Sequence, residues 1–145
     1  MSAIGQSAPF RREGNAMGSV EHATGDLTLL IVDDEWLISA PIGAYFRDLG
    51  FTVLLARSAD GAIEYLTRTR GDLVVSDISM PGTMNGLGLA QWIRRELPAV
   101  PVVLMSGASK AADVAEALGP AVPFFKKPCD FGRLETCVRE QLRAA

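Results

Sequence analysis

The sequence predicts an α/β fold in which helices cover both faces of a doubly wound parallel sheet. From Leu27 onward, short aliphatic runs alternate with amphipathic segments five times over. The runs are almost entirely apolar, which is typical of parallel strands buried on both faces. Each pair of successive runs is separated by a crossover long enough for a helix, as βαβ units require. The 145 residues suffice for one domain with its own hydrophobic core.

The elements follow from these periodicities in chain order. The predicted strands are Thr28–Val32, Thr52–Ala56, Leu73–Ser76, Val102–Met105 and Val122–Phe125. The predicted helices span residues 35–49, 58–69, 86–97, 109–118 and 130–143. A core-facing stripe with the spacing i, i+3, i+4, i+7 marks the first helix, at Ile42, Tyr45, Phe46 and Leu49. Gly50 is placed to end that helix.

Three carboxylates fall at predicted strand ends. Five βα units suit the flavodoxin-like strand order 2-1-3-4-5, in which ligands bind outside the carboxyl ends of the strands. Asp33 and Asp34 follow the first strand, and Asp77 follows the third. If these strands are neighbours, the carboxylates converge and repel one another. A hard divalent cation with oxygen ligands would relieve the repulsion, and Mg²⁺ fits best.

Two more polar residues follow the fourth and fifth strands, namely Ser106 and Lys127. An ammonium and a hydroxyl beside an aspartate–metal site are what phosphoryl transfer needs, because they bind the oxygens of the group that the carboxylate attacks. Gly107 leaves room for a phosphodonor. Lys126 is the weaker candidate, since strand alternation points it away if Lys127 points in. Each residue alone is unremarkable, and their joint placement carries the prediction.

The order of these motifs resembles the receiver domains of response regulators, the CheY-like superfamily. The motifs are Asp33-Asp34-Glu35, residues 77–82, Ser106-Gly107 and residues 124–128, within a segment 27–143 that is about four-fifths of the chain. The resemblance implies two-component signal transduction, in which the domain accepts a phosphoryl group from a histidine kinase or a phosphotransfer protein. It implies no enzyme activity beyond self-catalysed phosphotransfer and slow autodephosphorylation.

The resemblance also implies a role for each matching residue. Asp77 would be the phosphoacceptor, and the Mg²⁺ ligands would be Asp33, Asp34, Asp77 and the backbone carbonyl of Ser79. Lys127 would bind the phosphoryl group, Ser106 would be the switch hydroxyl and Phe124 the switch aromatic. It further favours a cis peptide bond between Lys127 and Pro128, which would turn Lys127 toward Asp77.

Three features depart from the family pattern. Pro41 lies inside the first helix, where it removes a hydrogen bond and costs about 3 kcal/mol in an ordinary helix. We therefore expect a kink or a late helix start. The loop 82–86 is longer than the common family form. The fourth helix is short and alanine-rich, and it ends near Gly119.

Competing functions fit the sequence less well. A phosphatase of the haloacid-dehalogenase type needs Asp-x-Asp after the first strand, whereas Asp33 and Asp34 are adjacent. A serine hydrolase lacks its motif around Ser106 and a histidine outside the first 26 residues. Residues 86–91 form a broken dinucleotide fingerprint, better interpreted as helix-start glycines after a turn. A non-phosphorylated interaction module of the same fold stays open.

The chain organisation favours a stand-alone regulator that signals through protein–protein contacts. We expect a flexible extension at residues 1–26 and the receiver domain at 27–145, with no output domain. The downstream target is unknown, and a phosphate sink or a phosphorelay intermediate are alternatives. We expect a monomer, with weak dimerisation as an alternative.

Composition narrows the partners and the compartment. The net charge of −3 gives no reason to expect nucleic acid as a partner. The sequence contains neither a signal-peptide pattern nor an apolar stretch near the roughly 20 residues of a membrane span. A cytoplasmic location is therefore expected, with Cys129 and Cys137 as free thiols.

Overall fold

A computed structural model describes residues 27–108 and 111–145, which form a five-stranded parallel sheet in the order β2-β1-β3-β4-β5. The strands are β1 Thr28–Val32, β2 Thr52–Ala56, β3 Leu73–Asp77, β4 Val102–Ser106 and β5 Phe124–Lys126. The helices are α1 Trp36–Asp48, α2 Ala59–Arg68, α3 Gly86–Glu96, α4 Ala111–Leu118 and α5 Phe131–Ala144. The predicted fold class and strand order are confirmed. The predicted extension, residues 1–26, lies outside the described residues.

Alternate residues of the central strands serve two cores on opposite faces of the sheet. Leu29 and Ile31 pack on one side with buried residues of α1 and α5, among them Phe46 and Leu134. Leu30 and Val32 pack on the other side with residues of α2 and α3. A smaller cluster joins β4 to α3 and α4. Because both faces are covered, the strands are as apolar as the sequence indicated.

Pro41 does not delay the first helix, so of the two expected effects, a kink or a late start, the late start is wrong. Helix α1 begins at Trp36, after Glu35 as its N-cap residue, and continues through Pro41 to Asp48. Pro41 is exposed, and its missing N–H leaves the carbonyl of Leu37 without its partner in the helix. Leu37 is 87% exposed at the helix start, where water can hydrate that carbonyl.

Strand β5 is the element whose prediction needs most correction. It begins at Phe124, two residues later than the predicted Val122, and extends to Lys126. Pro123 lacks the N–H that a central ladder residue donates, although its carbonyl accepts a hydrogen bond from Leu104 N at 3.0 Å. The proline therefore shortens the strand at its start.

Side chains define several helix boundaries. Ser58, Asn85 and Asp130 act as N-caps, each accepting a hydrogen bond from a backbone N–H in the first turn that follows. Gly50 has a φ of 101°, which suits the chain reversal predicted after α1. Among the described residues, none of the helices has the length and hydropathy needed to span a bilayer.

A polar network fastens α1 to α5 beside the core. Tyr45 Oη donates to Glu135 Oε1 at 2.7 Å, and Arg139 Nε donates to Glu135 Oε2 at 2.9 Å. The hydrogen bond from Tyr45, followed by that from Arg139, lowers the pKa of Glu135 below its ordinary 4.5. Because the folded pKa is lowered, this stabilisation is present above the ordinary value and is lost as the pH falls through the lowered one.

Tyr45→Phe should therefore lower the free energy of unfolding at neutral pH, since Glu135 loses one hydrogen-bond donor. The difference from wild type should shrink as acidification protonates Glu135. Urea denaturation at a series of pH values measures it. Tyr65→Phe is the control, because the Tyr65 hydroxyl makes no hydrogen bond within residues 27–108 and 111–145. Equal losses for the two variants would contradict the role of the network.

Candidate functional site

Carboxylates meet at the carboxyl edge of the sheet, as the strand order predicts. Asp77 is the last residue of β3, and Asp33 directly follows β1, which pairs with β3 from Leu29 to Val32. Asp34 comes next in the chain. One carboxylate oxygen from each of the three lies within 4.8 Å of the others. The three carboxylates converge as the sequence predicted, because neighbouring parallel strands end at the same edge of the sheet.

The ammonium of Lys127 lies among these carboxylates. Lys127 Nζ is 2.9 Å from Asp33 Oδ2 and 3.1 Å from Asp77 Oδ1. Its side chain is only 12% exposed, whereas Lys126 is exposed. The peptide bond from Lys127 to Pro128 is cis, as predicted. The structure therefore selects Lys127 as the lysine of the site.

Burial and charge act together on the pKa values in the cluster. Burial raises the pKa of Asp77, with a further contribution from the charge of Asp33, although the hydrogen bond from Lys127 opposes both. Burial acts to lower the pKa of Lys127, but hydrogen bonds to Asp33 and Asp77 outweigh it and raise that pKa. Lys127 is therefore held as a cation against the carboxylates.

The donor set suits a hard divalent cation. Three carboxylates face one ammonium, so the cluster keeps an excess of negative charge. Asp33 uses one oxygen for Lys127 and the other for the backbone N–H of Glu35, at 2.8 Å. Asp34 is half-buried, and its carboxylate makes no hydrogen bond or ion pair to any residue that the structure describes. Oxygen donors with spare lone pairs match what Mg²⁺ binds.

The two proposed switch residues lie on neighbouring strands. Ser106 is the buried last residue of β4, and its Oγ accepts a hydrogen bond from the Ala108 N–H at 3.1 Å. Phe124 opens β5, opposite Leu104, and is half-buried against the cluster that contains Val114 of α4. The structure thus brings Ser106 to the edge of the carboxylate site and places Phe124 beside α4.

Glycines let the chain approach the site closely. A Cβ at position 86 would lie 2.1 Å from the backbone oxygen of Asp77, so α3 begins directly against the backbone of Asp77. Gly86 N also donates to Ile78 O at 2.8 Å. The helix-start interpretation of these glycines is confirmed. Gly107 is exposed, and its Cβ position has no neighbour nearer than 4.0 Å, which agrees with the predicted open approach.

The structure places Glu35 in the site, although the sequence pattern assigned it no role. Glu35 Oε1 is 3.8 Å from Lys127 Nζ, and the glutamate is also the N-cap residue of α1. Its exposed carboxylate adds a third negative neighbour to the ammonium. Its position directly after Asp34 and before an apolar helix is the sequence feature that could have identified it as a site residue. Ser79, whose backbone carbonyl is a predicted metal ligand, is an exposed residue.

Comparisons with known proteins agree with this arrangement. Residues 29–139 match the family model of the response regulator receiver domain. The nitrogen assimilation regulatory protein NtrX of Azorhizobium caulinodans is 38% identical over 73% of this chain and 24% of its own. The regulator of RpoS of Escherichia coli is 37% identical over 76% of this chain and 33% of its own. The chain thus spans a quarter to a third of the length of these curated relatives.

Solved structures show the same similarity. A response regulator receiver protein from Sinorhizobium medicae has a TM-score of 0.75 and 31% identity. The signal receiver domain of an HD domain-containing protein from Pseudomonas fluorescens has a TM-score of 0.74 and 26% identity. Each comparison covers 81% of this chain and 95% of the other.

Mg²⁺ should stabilise the folded protein, because it relieves repulsion among the carboxylates. The gain should be about 2.7 kcal/mol at a hundredfold excess over Kd. Thermal unfolding with and without Mg²⁺ measures it, and Trp36, two residues after Asp34, offers a fluorescence readout. Asp34→Asn should weaken the effect strongly. Asp48→Asn, at the far end of α1, should leave it unchanged. A melting temperature indifferent to millimolar Mg²⁺ would argue against the metal site.

Proposed function

Since the chain belongs to the receiver-domain family of response regulators, we propose that it accepts a phosphoryl group onto Asp77 in two-component signalling. The observation that carries the proposal is the position of Lys127, whose ammonium bridges Asp33 and Asp77 at 2.9 and 3.1 Å. Asp77 is the one carboxylate of the cluster that ends a strand and contacts the lysine directly. That position gives it both a fixed geometry and a cation for the incoming charge.

The proposed reaction is an in-line displacement at phosphorus. A carboxylate oxygen of Asp77 attacks a phosphohistidine of the donor, so that an O–P bond forms and the P–N bond breaks. The electron pair of the broken bond remains on the imidazole nitrogen. Lys127 neutralises charge on the phosphoryl oxygens, and the Ser106 hydroxyl donates a hydrogen bond to one of them.

The residues that would hold Mg²⁺ are Asp33, Asp34, Asp77 and the backbone carbonyl of Ser79. When bound, the cation would neutralise negative charge on both the acceptor carboxylate and the transferred group. Asp33 is fixed for this task by its two hydrogen bonds, one from Lys127 and one from the Glu35 N–H.

The proposed readout of phosphorylation is a switch from Ser106 to Phe124. A phosphoryl group adds about −1.5 to −2 charge at Asp77. If Ser106 turns toward that group, the Ala108 N–H loses its 3.1 Å acceptor and space opens between β4 and β5. Phe124, half-buried beside α4, is the bulky side chain placed to fill it. A partner would then recognise the changed surface of α4, β5 and α5.

The proposed phosphodonor is the histidine-bearing helix of a kinase or a phosphotransfer protein. Next to the site lies an apolar groove of about 340 Å³, bordered by Leu37, Pro41, Pro128 and Phe131, with Lys127 also in its lining. Trp36 and Leu37 are the large apolar side chains that stand exposed among the described residues, at 61% and 87%. An apolar helix face seated here would bring a histidine close to Asp77.

The wider role of the protein extends this proposal. We propose that residues 27–145 form a receiver domain that acts through protein contacts, with a phosphate sink or a relay intermediate as alternatives. The relatives NtrX and the regulator of RpoS are much longer than this chain. The cytoplasmic location, the monomeric state and the absence of nucleic-acid binding stay predictions from the sequence.

Asp77→Asn should abolish the incorporation of hydroxylamine-labile phosphate from acetyl phosphate in the presence of Mg²⁺, because the amide cannot attack phosphorus. Radiolabel counting on the folded variant measures this, with Asp48→Asn as the matched control that should label normally. Undiminished labelling of the Asp77→Asn protein would place the acceptor elsewhere. Absence of labelling in the wild type would favour a non-phosphorylated module of the same fold.

Leu37→Ser should slow phosphotransfer from a phosphorylated histidine protein at least tenfold while leaving labelling by acetyl phosphate unchanged, because only the protein donor needs the apolar face. Phosphotransfer profiling against the kinases of the source organism supplies the donor. Ala44→Ser, exposed about two turns further along α1, is the control. Equal rates for Leu37→Ser and wild type would contradict docking on this face.

A further inference from the structure

Two side chains of α3 bind the carbonyl groups that end α4. Arg94 Nη2 donates to Leu118 O at 2.6 Å, and Gln91 Nε2 donates to Ala117 O at 3.4 Å. The last carbonyls of a helix have no acceptor role inside it and carry the negative end of its dipole. A guanidinium there makes a charge-assisted hydrogen bond. We call these two contacts the α3–α4 clasp.

Helix α3 is the fixed side of the clasp. Its first residue, Gly86, lies so close to Asp77 that any Cβ would collide with the backbone oxygen of Asp77. Gly86 N also donates to Ile78 O at 2.8 Å, and the buried Leu89 and Ile93 hold the same helix against the sheet. Helix α3 is thus seated on the phosphoacceptor strand itself.

Helix α4 is the shorter side of the clasp. It has eight residues, of which Val114 and Leu118 are buried. The chain leading to it begins at Ala108, whose N–H is bonded to the Ser106 hydroxyl that the proposed switch redirects. A cavity of about 170 Å³ lies beside the clasp, bordered by Arg94 and Leu118 among others, and leaves room for the end of α4 to shift.

We propose that the clasp restrains α4 in the unphosphorylated arrangement, so that phosphoryl binding at Asp77 has to stretch the contact between Arg94 and Leu118. This inference rests on the proposed function. Because α3 is held on the Asp77 strand, a shift of α4 relative to the sheet separates the two partners. A contact made in only one of two states biases the equilibrium toward that state. Arg94 thereby sets how readily the domain responds to phosphorylation.

The test compares Arg94→Met with Arg95→Met, two neighbouring exposed arginines on the last turn of α3. Arg95 pairs with Glu96 at 3.1 Å and does not contact α4 through any described hydrogen bond. Arg94→Met should speed amide hydrogen exchange at residues 114–118 three- to tenfold. It should also lower the beryllofluoride concentration that half-saturates the domain in the presence of Mg²⁺ by a similar factor. NMR shifts of the Gly107 and Ala108 amides report that titration.

Each outcome bears on the proposal. Arg95→Met should match wild type in both measurements, and Gln91→Ala should shift both in the direction of Arg94→Met by a smaller factor. Unchanged exchange and affinity in Arg94→Met, or a weakened affinity, would overturn the restraint. If Arg94→Met does not fold, Gln91→Ala alone decides the test. Exchange and affinity equal to wild type in Gln91→Ala would then contradict the clasp. A wild-type domain that ignores beryllofluoride and Mg²⁺ would refute the proposed function and the switch that the clasp restrains.

Discussion

The ammonium of Lys127 is what allows a buried aspartate cluster to exist in this fold. Asp33 and Asp77 have side chains that are 0% and 5% exposed, so neither charge is hydrated well enough to stand alone. Unpaired buried charges cost several kcal/mol each, and breaking such a pair typically costs about 3–5 kcal/mol. One cation cannot balance three carboxylates, however. The remaining negative charge is the feature on which the proposed binding of a divalent cation and a phosphoryl group rests.

The strand order explains how this contact is made. Asp33 follows β1, Asp77 ends β3, and Lys127 follows β5, which stands at the edge of the sheet beyond β4. The lysine therefore reaches across the ends of two strands to meet both aspartates. The side chains of the site therefore come from several strands that end at the same edge of the sheet. Ser106 at the end of β4 lies within that span, which is why the proposed switch starts at this residue.

Those parts of the fold and site that depend on local pattern could be predicted from the sequence. The apolar strand runs predicted the parallel sheet. The strand-end carboxylates and the motif around Lys127 predicted which side chains meet at its edge. The start of β5 was misplaced because apolar character outweighed the missing N–H of Pro123. Helix α1 tolerates Pro41 because the carbonyl of Leu37, which loses its hydrogen-bond donor, lies near the exposed start of the helix. No sequence pattern reveals that exposure. Glu35 contacts Lys127 and Arg94 contacts the carbonyl of Leu118. Both contacts join different elements, so only coordinates show them.

Chemical trapping can show directly whether Asp77 carries the phosphoryl group. Borohydride reduces an acyl phosphate to an alcohol, so a phosphorylated aspartate becomes homoserine. After acetyl phosphate and Mg²⁺, trypsin should release the modified residue in the peptide between Arg70 and Arg94, with mass spectrometry locating homoserine at position 77. The unmodified Asp72 in the same peptide serves as an internal control. Homoserine at position 33 or 34, with position 77 intact, would show that another aspartate accepts the phosphoryl group.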